Sequence, residues 1–145
     1  MSVPHLVPGA EFSADADRLD RAQVHAWLSR EAYWAIGRSR ATQDAAIDGS
    51  RNYGVYRSGR QVAYARAVTD CVTFAWVCDV FVDASERGRG VGRMLVEGLT
   101  ADLDTFGLKR MVLTTGDAHG LYAAVGFEVL PSPERWMVRP GGAPT

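Results

Sequence analysis

The residues best suited to chemistry lie in one glycine-rich stretch in the second half of the chain. This stretch follows an apolar run that ends at Val82 and precedes a helical pattern from Met94 to Leu103. Backbone N–H groups at a helix N-terminus have no acceptor within the helix, and the helix dipole adds partial positive charge there. Glycines let a phosphate approach such a backbone closely. A small polyanion is therefore expected to bind Arg87, Gly88, Arg89, Gly90, Val91, Gly92 and Arg93.

The spacing of these glycines excludes two common phosphate-binding motifs. A dinucleotide-binding fingerprint needs a third glycine at the position that Leu95 occupies. A P-loop needs lysine and then serine or threonine after its last glycine, whereas Arg93 and Met94 follow Gly92. An ordinary glycine-rich turn with solvated arginines remains the alternative, because such turns are common.

Two motifs, in this order along the chain, resemble those of a known enzyme superfamily. The pattern Arg87-x-x-Gly90-x-Gly92 resembles the pyrophosphate loop of the GNAT superfamily, the acyl-CoA-dependent N-acyltransferases. The segment from Tyr122 to Phe127 is similar to the Tyr-x-x-x-Gly-Phe segment that many GNAT enzymes carry. Residues 115–122 also resemble a subgroup with a Thr-x-Asp-Ala-His-x-Leu-Tyr signature. The resemblance covers nearly the whole chain, from about Phe12 to Arg139.

The resemblance implies direct transfer of an acetyl group from acetyl-CoA to a primary amine of a small molecule or a peptide. In this family the pantetheine arm pairs with a bulged strand edge, which here corresponds to Val80, Phe81 and Val82. The N–H of Val82 is then the expected donor to the acetyl oxygen. Tyr122 matches the family's general acid, since a phenol is protonated at neutral pH and can donate to a thiolate. A core tyrosine with a satisfied hydroxyl is the alternative.

The general base is left open by the sequence. Asp79 precedes the expected pantetheine edge and could accept the amine proton, but an ion-pair partner or a cation-binding carboxylate is an equal alternative. His119 could act as base or proton shuttle, since imidazole changes charge near neutral pH. A purely structural histidine is about as plausible, and some relatives use only water. Asp117 is expected to cap the helix that carries Tyr122.

The acceptor side is expected beyond the first helix. Tyr33 and Trp34 could wall an apolar or cationic acceptor pocket there, or they could be packing aromatics. No His/Cys/Asp cluster of the sequence has metal-ligand spacing, so no metal is expected. Two rival functions are a non-catalytic acyl-CoA sensor and a toxin-type enzyme that acetylates aminoacyl-tRNA. The net charge of −1 argues against a nucleic-acid partner.

Length and composition predict one globular domain. The 145 residues are 47% hydrophobic and 23% charged, as in soluble proteins. No apolar run is long enough for a membrane span, and Met1 to His5 lacks a signal-peptide pattern, so a cytoplasmic location is expected. The oligomeric state is left open, with a homodimer among the options.

Hydrophobic periodicity and turn residues predict an α/β (α+β) fold, and the order of its elements resembles that of the GNAT fold. Its sheet is expected to be mixed and mostly antiparallel, with about seven strands and helices on both faces. The tail from Pro140 is expected to be loose. The first predicted helix ends near Arg30, and the other helices span 38–48, 93–105 and 118–125. The predicted strands lie near Phe12 and at 53–57, 61–69, 72–82, 111–115, 127–130 and 136–138.

Overall fold

The computed structural model describes residues 6–142, and a five-stranded sheet runs through them. The strands follow one another across the sheet in chain order, and all neighbours are antiparallel except the last pair, which is parallel. The predicted mixed, mostly antiparallel sheet is therefore confirmed. The strands are Ala10–Ser13 (β1), Arg51–Arg57 (β2), Arg60–Thr69 (β3), Phe74–Val82 (β4) and Arg110–Val112 (β5).

Four α-helices accompany the sheet in the described part of the chain. Side-chain caps fix two of their starts: Asp20 accepts from the Gln23 N–H at 3.0 Å, and Ser39 accepts from the Thr42 N–H at 3.1 Å. None of the helices between residues 6 and 142 is long and apolar enough to cross a bilayer. Their bounds are Arg21–Glu31 (α1), Arg40–Asp48 (α2), Val91–Asp104 (α3) and His119–Ala123 (α4).

Helices cover both faces of the sheet, as predicted. On one face, α3 packs Leu95 and Leu99 into the core. On the other face, Trp27 of α1 and Ile47 of α2 pack with Tyr64 of β3. Each such side chain contributes about 1.5–3 kcal/mol when it leaves water. The sheet is thereby packed against helices on both sides.

The two strands predicted near the C-terminus are not formed, which corrects the expected count of seven. Within residues 6–142, the segments 127–130 and 136–138 lack strand pairing, and Met137 is 97% exposed. The three-residue β5 offers a short edge for pairing. Pro131 and Pro133 interrupt the connection and supply no N–H donors. The predicted loose tail has no regular structure at residues 140–142, and residues 143–145 lie outside the described part.

A glycine allows α3 to approach β1 closely. A Cβ on Gly98 would stand 2.4 Å from the Phe12 ring, whereas a Cβ on Gly120 of α4 would meet nothing within 4 Å. Gly98→Ala is therefore expected to lower the free energy of unfolding by about 1–3 kcal/mol despite its better helix propensity. Gly120→Ala is the matched control and should be neutral or stabilising by up to about 1 kcal/mol. Urea denaturation of both variants measures the contrast, and equal stabilities would refute the close packing.

Candidate functional site

The start of α3 presents unpaired backbone donors. Gly90 is the N-cap residue with a φ of +88°, and no side chain among residues 6–142 caps the helix. The first intrahelical bond runs from the Met94 N–H to the Gly90 carbonyl at 3.0 Å. The N–H groups of residues 91–93 therefore have no acceptor in the first turn. The backbone thus has the uncapped helix start that anion binding would need, and the positive φ explains the glycine at position 90.

The arginines around this helix start are held differently. Arg87 donates from Nε to the Val82 carbonyl at 3.1 Å and lies over the Phe81 ring. Arg93 pairs with Glu97 at 2.5 Å, one turn further along the helix. The Arg89 side chain is 64% exposed, with its guanidinium 3.9 Å from Glu86. Arg89 is therefore the arginine most free to reach a bound anion.

An opening between β4 and β5 lies next to this helix start. The two strands pair only as far as Trp76 and Val112, and β4 then continues to Val82 without β5 beside it. The Asp83 N–H donates to the Val62 carbonyl of β3 at 2.9 Å. Because successive N–H groups of a strand point to opposite sides, the Val82 N–H points away from β3, into the opening. A backbone donor thus faces the space where the strands separate.

The segment that follows β5 brings a tyrosine to the same region. Tyr122 of α4 is buried, and its ring lies 5.9 Å from that of Phe127. The Tyr122 carbonyl accepts the Phe127 N–H at 3.1 Å, and Gly126 between them has a φ of +99°. The Tyr-x-x-x-Gly-Phe pattern therefore has a local cause: the glycine lets the chain reverse after α4, and the aromatic residue packs back on the tyrosine.

The start of α3, the end of β4 and α4 meet at Gly92. A Cβ there would lie 3.6 Å from Cγ2 of Val82 and 3.8 Å from Cδ2 of Leu121. The start of α3, the end of β4 and the helix of Tyr122 therefore meet within van der Waals distance. An uncapped helix start and an open strand edge thus lie beside the helix that carries the buried Tyr122.

Comparison with known proteins agrees with this arrangement. Residues 21–127 match the profile of the acetyltransferase (GNAT) family. The chain belongs to the GNAT acetyltransferase family. A crystal structure of a GNAT-family protein from Xanthomonas campestris pv. campestris has a TM-score of 0.88 and 40% identity, and the match covers 95% of this chain and 96% of that one. The GNAT fold and the acyltransferase class are confirmed at the level of the family.

Two plant relatives share part of the GNAT sequence. The Oryza sativa subsp. japonica protein named serotonin N-acetyltransferase 2, chloroplastic, is 41% identical over 81 residues, 55% of this chain and 40% of that protein. The Arabidopsis thaliana protein named GCN5-related N-acetyltransferase 1, chloroplastic, is 35% identical over 83 residues, 57% of this chain and 42% of that protein. The chain thus spans about two fifths of these curated relatives. A cytoplasmic location for this GNAT chain stays a prediction.

Asp79 of this GNAT domain is buried in an ion-pair cluster. Its carboxylate accepts from Arg38 at 2.7 Å, from Arg66 at 2.6 Å and from the Trp34 indole at 2.8 Å. Burial by itself would raise the pKa of Asp79, but the hydrogen bonds from the two arginines outweigh burial and lower it. The geometry matches the ion-pair alternative for Asp79. Sequence reasoning missed both arginines, although a charged residue inside the apolar β3 pattern was a usable signal for Arg66.

Asp79 also stands at an irregularity of β4. Tyr64 pairs with Phe81, whereas Arg66 pairs with Cys78, so β4 holds one more residue than β3 between the same two pairs. Asp79 itself has a φ of +54°, which is rare for a residue other than glycine. The expected bulge of this strand is therefore present, and Asp79 occupies it.

Two further predicted residues lie at the start of α4. His119 is exposed at the first position of α4. The predicted cap by Asp117 is wrong: Ala118 is the N-cap residue, and its N–H donates to Oγ1 of Thr115 at 3.0 Å. The backbone places the threonine, rather than the aspartate, within reach of that donor.

The aromatic pair expected on the acceptor side lies in the loop between α1 and α2. The rings of Tyr33 and Trp34 meet edge to face at 5.0 Å, and both remain partly exposed. The Tyr33 hydroxyl lies 3.3 Å from the position that a Cβ would take on Gly116. The loop therefore touches the segment between β5 and α4, close to Tyr122.

A separate large cleft lies between β5, α4 and the C-terminal segment. Its volume is about 1210 Å³, and it is lined by Tyr122, His119 and Trp136 but by none of residues 87–93. It is therefore an alternative binding place to the opening between β4 and β5. In the described part of the chain, no group of three or more His, Cys, Asp or Glu side chains could hold a metal ion.

Proposed function

We propose that this protein transfers the acetyl group of acetyl-CoA directly to a primary amine of a small molecule or a peptide. The observation that carries the proposal is the uncapped start of α3 beside the opening where β4 leaves β5. A helix start binds the phosphates of a nucleotide, and an open strand edge binds an amide-containing arm. Acetyl-CoA contains both groups in that order.

Each part of acetyl-CoA has a matching partner in the chain. The pyrophosphate would accept hydrogen bonds from the N–H groups of residues 91–93, with Arg89 adding charge. The pantetheine arm would pair with the β4 edge at residues 80–82. The Val82 N–H would donate to the thioester oxygen and stabilise the negative charge that develops there during attack.

Tyr122 would donate a hydrogen bond to the departing sulfur. Burial, with smaller contributions from Asp117 and Tyr33, raises the pKa of Tyr122 to about 12. The phenol therefore stays protonated at neutral pH. An ordinary thiol has a pKa of about 8.5, so complete transfer of the phenolic proton to the thiolate would be uphill; the phenol instead stabilises the developing charge on sulfur through its hydrogen bond, and the released thiolate takes its proton from solvent.

Because its pKa is raised, Tyr122 should keep its phenolic proton, and so its role in acetyl transfer, in mildly alkaline solution. A donor is lost as pH rises through its pKa, and for Tyr122 that point is near 12. A primary alkyl amine has a pKa near 10, as lysine does, so the observed rate should rise up to that pH, while the rate divided by the fraction of neutral amine should stay level to about pH 10, where an ordinary tyrosine would be half ionised. A pH–rate profile between about pH 6 and 10 tests this. A fall by half at pH 10 in the rate divided by the fraction of neutral amine would indicate an unshifted phenol.

The proton of the attacking amine would leave through water or His119. The carboxylate of Asp79 already accepts three hydrogen bonds, and its use as a base would break at least one of them. His119 is exposed at the start of the helix that carries Tyr122, so it can exchange protons with solvent. Water alone, without His119, can also accept the proton of the amine.

Arylethylamines form the narrower candidate acceptor class. Tyr33 and Trp34 offer partly exposed aromatic rings next to the opening, which suits a flat ring that carries a short amine. The name of the rice relative, 41% identical over 81 residues, points to the same class. An indole or phenyl ring would pack on these side chains and leave its aminoethyl group free to reach the thioester.

An acceptor screen tests the proposed function. CoA release from acetyl-CoA is followed with tryptamine, serotonin, spermidine, lysine and an alanine-starting peptide. We expect at least one amine to raise CoA release more than about tenfold over hydrolysis, with tryptamine and serotonin among the best. A protein that binds acetyl-CoA but acetylates no amine would support the sensor alternative. Retention of aminoacyl-tRNA on a filter at low salt, with acetylation of its amino group, would support the toxin alternative.

A further inference from the structure

The bulge in β4 decides which face Asp79 occupies. Before it, Ala75 and Val77 lie in the core on the α3 side of the sheet. After it, Val80 and Val82 pack against that same core, so the side-chain alternation has moved by one residue. Asp79 is the extra residue, and its carboxylate points to the opposite face, where α1 and α2 lie. The bulge therefore gives the opposite face a side chain that a regular strand would not.

Donors from two separate parts of the chain hold this carboxylate. Arg66 belongs to β3, whereas Trp34 and Arg38 belong to the segment of residues 32–39 between α1 and α2, here called the α1–α2 loop. The Asp79 side chain is only 2% exposed, so little water competes for these bonds. One carboxylate thus connects the irregular strand to a loop that has no helix or strand of its own.

The charge of the cluster makes each bond costly to remove. Two guanidinium groups face one carboxylate, and Arg38 is also bonded to Gln43 at 3.1 Å. Without Asp79, two buried cations would lack their anion, which is strongly destabilising. The positive φ of Asp79 adds local strain that only surrounding contacts can offset. The ionised carboxylate is thus a fixed part of the structure.

The loop held by Asp79 reaches the proposed acetyl-transfer centre. Trp34 bonds to Asp79, and its neighbour Tyr33 packs on it edge to face at 5.0 Å. The Tyr33 hydroxyl lies over Gly116 and affects the ionisation of Tyr122 electrostatically. A chain of direct contacts therefore runs from the bulge through the indole to Tyr33, which lies against Gly116 in the segment before α4.

We propose that Asp79 is a positioning residue that holds the α1–α2 loop over the opening, so that Tyr33 and Trp34 meet the acceptor in one fixed arrangement. The inference rests on the proposed acetyl transfer and assigns Asp79 a role through Trp34. It differs from general-base catalysis, in which the carboxylate would touch the amine. Loss of Asp79 should then weaken acceptor binding and leave the acetyl-CoA site at α3 intact.

Trp34→Phe is the variant that isolates this contact. It keeps an aromatic ring, removes the N–H that Asp79 accepts together with part of the bicyclic indole, and leaves both arginine pairs in place. We expect amide hydrogen exchange in residues 32–39 to become at least about fivefold faster, while exchange in α3 stays unchanged. Trp136→Phe is the matched control, because Trp136 is as exposed as Trp34, at 38% against 37%, and lies in the C-terminal segment. Unchanged exchange of the loop in folded Trp34→Phe would overturn the proposal.

Asp79→Asn and steady-state kinetics give the second readout. One amide oxygen cannot accept from three donors, so loop exchange should rise at least as much as in Trp34→Phe. The Michaelis constant for tryptamine should rise at least about fivefold in both variants, with the dissociation constant of acetyl-CoA changed less than about twofold. A lower kcat with an unchanged tryptamine constant would indicate a base and refute positioning. If wild type acetylates no amine, the proposed function fails, and the exchange rates still decide whether Asp79 holds the loop.

Discussion

Tyr122→Phe is expected to lower the rate of acetyl transfer by roughly 100-fold or more, the usual range for loss of a general acid. The substitution keeps the ring that packs on Phe127 and removes only the hydroxyl. Acetyl-CoA affinity should change little, because the pyrophosphate and pantetheine contacts are assigned to the backbone of α3 and β4. A single-turnover measurement with tryptamine follows the chemical step and avoids limitation by product release.

Tyr53→Phe is the matched control for this prediction. The Tyr53 hydroxyl donates to Asp102 at 2.6 Å and joins β2 to α3. Its loss should lower the free energy of unfolding by about 1.5–3 kcal/mol and leave the transfer rate near wild type. If Tyr122→Phe behaves like Tyr53→Phe, less stable but fully active, the Tyr122 hydroxyl is a structural group and the acid role is excluded.

Gly92→Asp is expected to weaken acetyl-CoA binding at least about tenfold, or about 1.4 kcal/mol. Its carboxylate would stand in the first turn of α3, beside the N–H groups assigned to the pyrophosphate, and would repel it. The fold should survive, because a Cβ at position 92 meets only ordinary contacts, at 3.6 Å and 3.8 Å. An acidic residue also stabilises the first turn of a helix through the dipole. Calorimetric titration with acetyl-CoA measures the affinity.

Gly92→Asn separates charge from size. The amide has the shape of the carboxylate without its charge, so it should weaken acetyl-CoA binding much less than the aspartate does. Gly90 is a poorer position for the same test, since its φ of +88° would strain any side chain. Equal affinities of wild type and a folded Gly92→Asp protein would show that the pyrophosphate binds elsewhere.

Local patterns were sufficient for much of the fold. The turn at Ser58 and Gly59 has positive φ at both residues, as the two-residue hairpin turn requires, and it sets the pairing of β2 with β3. The start of α2 follows from its serine cap. The last two predicted strands failed because strand formation depends on a partner strand. Short apolar segments such as 127–130 have strand-like sequences whether or not a neighbour is available.

The site could be predicted only in part, because some of its contacts also depend on partners that are distant in the sequence. The glycine loop and the tyrosine segment are contiguous motifs, so their order and their adjoining elements could be read from the sequence. The cluster of Asp79, Arg38 and Arg66 joins residues 13 to 41 positions apart and depends on a one-residue bulge. Periodicity carries no signal for such a pairing. Asp79 could therefore be singled out, and Arg66 stood out as a charge in the apolar β3 pattern, whereas Arg38 and the pairing itself could not be read from the sequence.

A crystal structure of the protein with CoA would test the assignment of the opening between β4 and β5 most directly. The pyrophosphate oxygens should lie about 3 Å from the N–H groups of Val91 and Gly92. The sulfur should lie near the Tyr122 hydroxyl, with the pantetheine arm along residues 80–82. Binding of CoA in the 1210 Å³ cleft between β5 and the C-terminal segment, away from the start of α3, would contradict the proposed site.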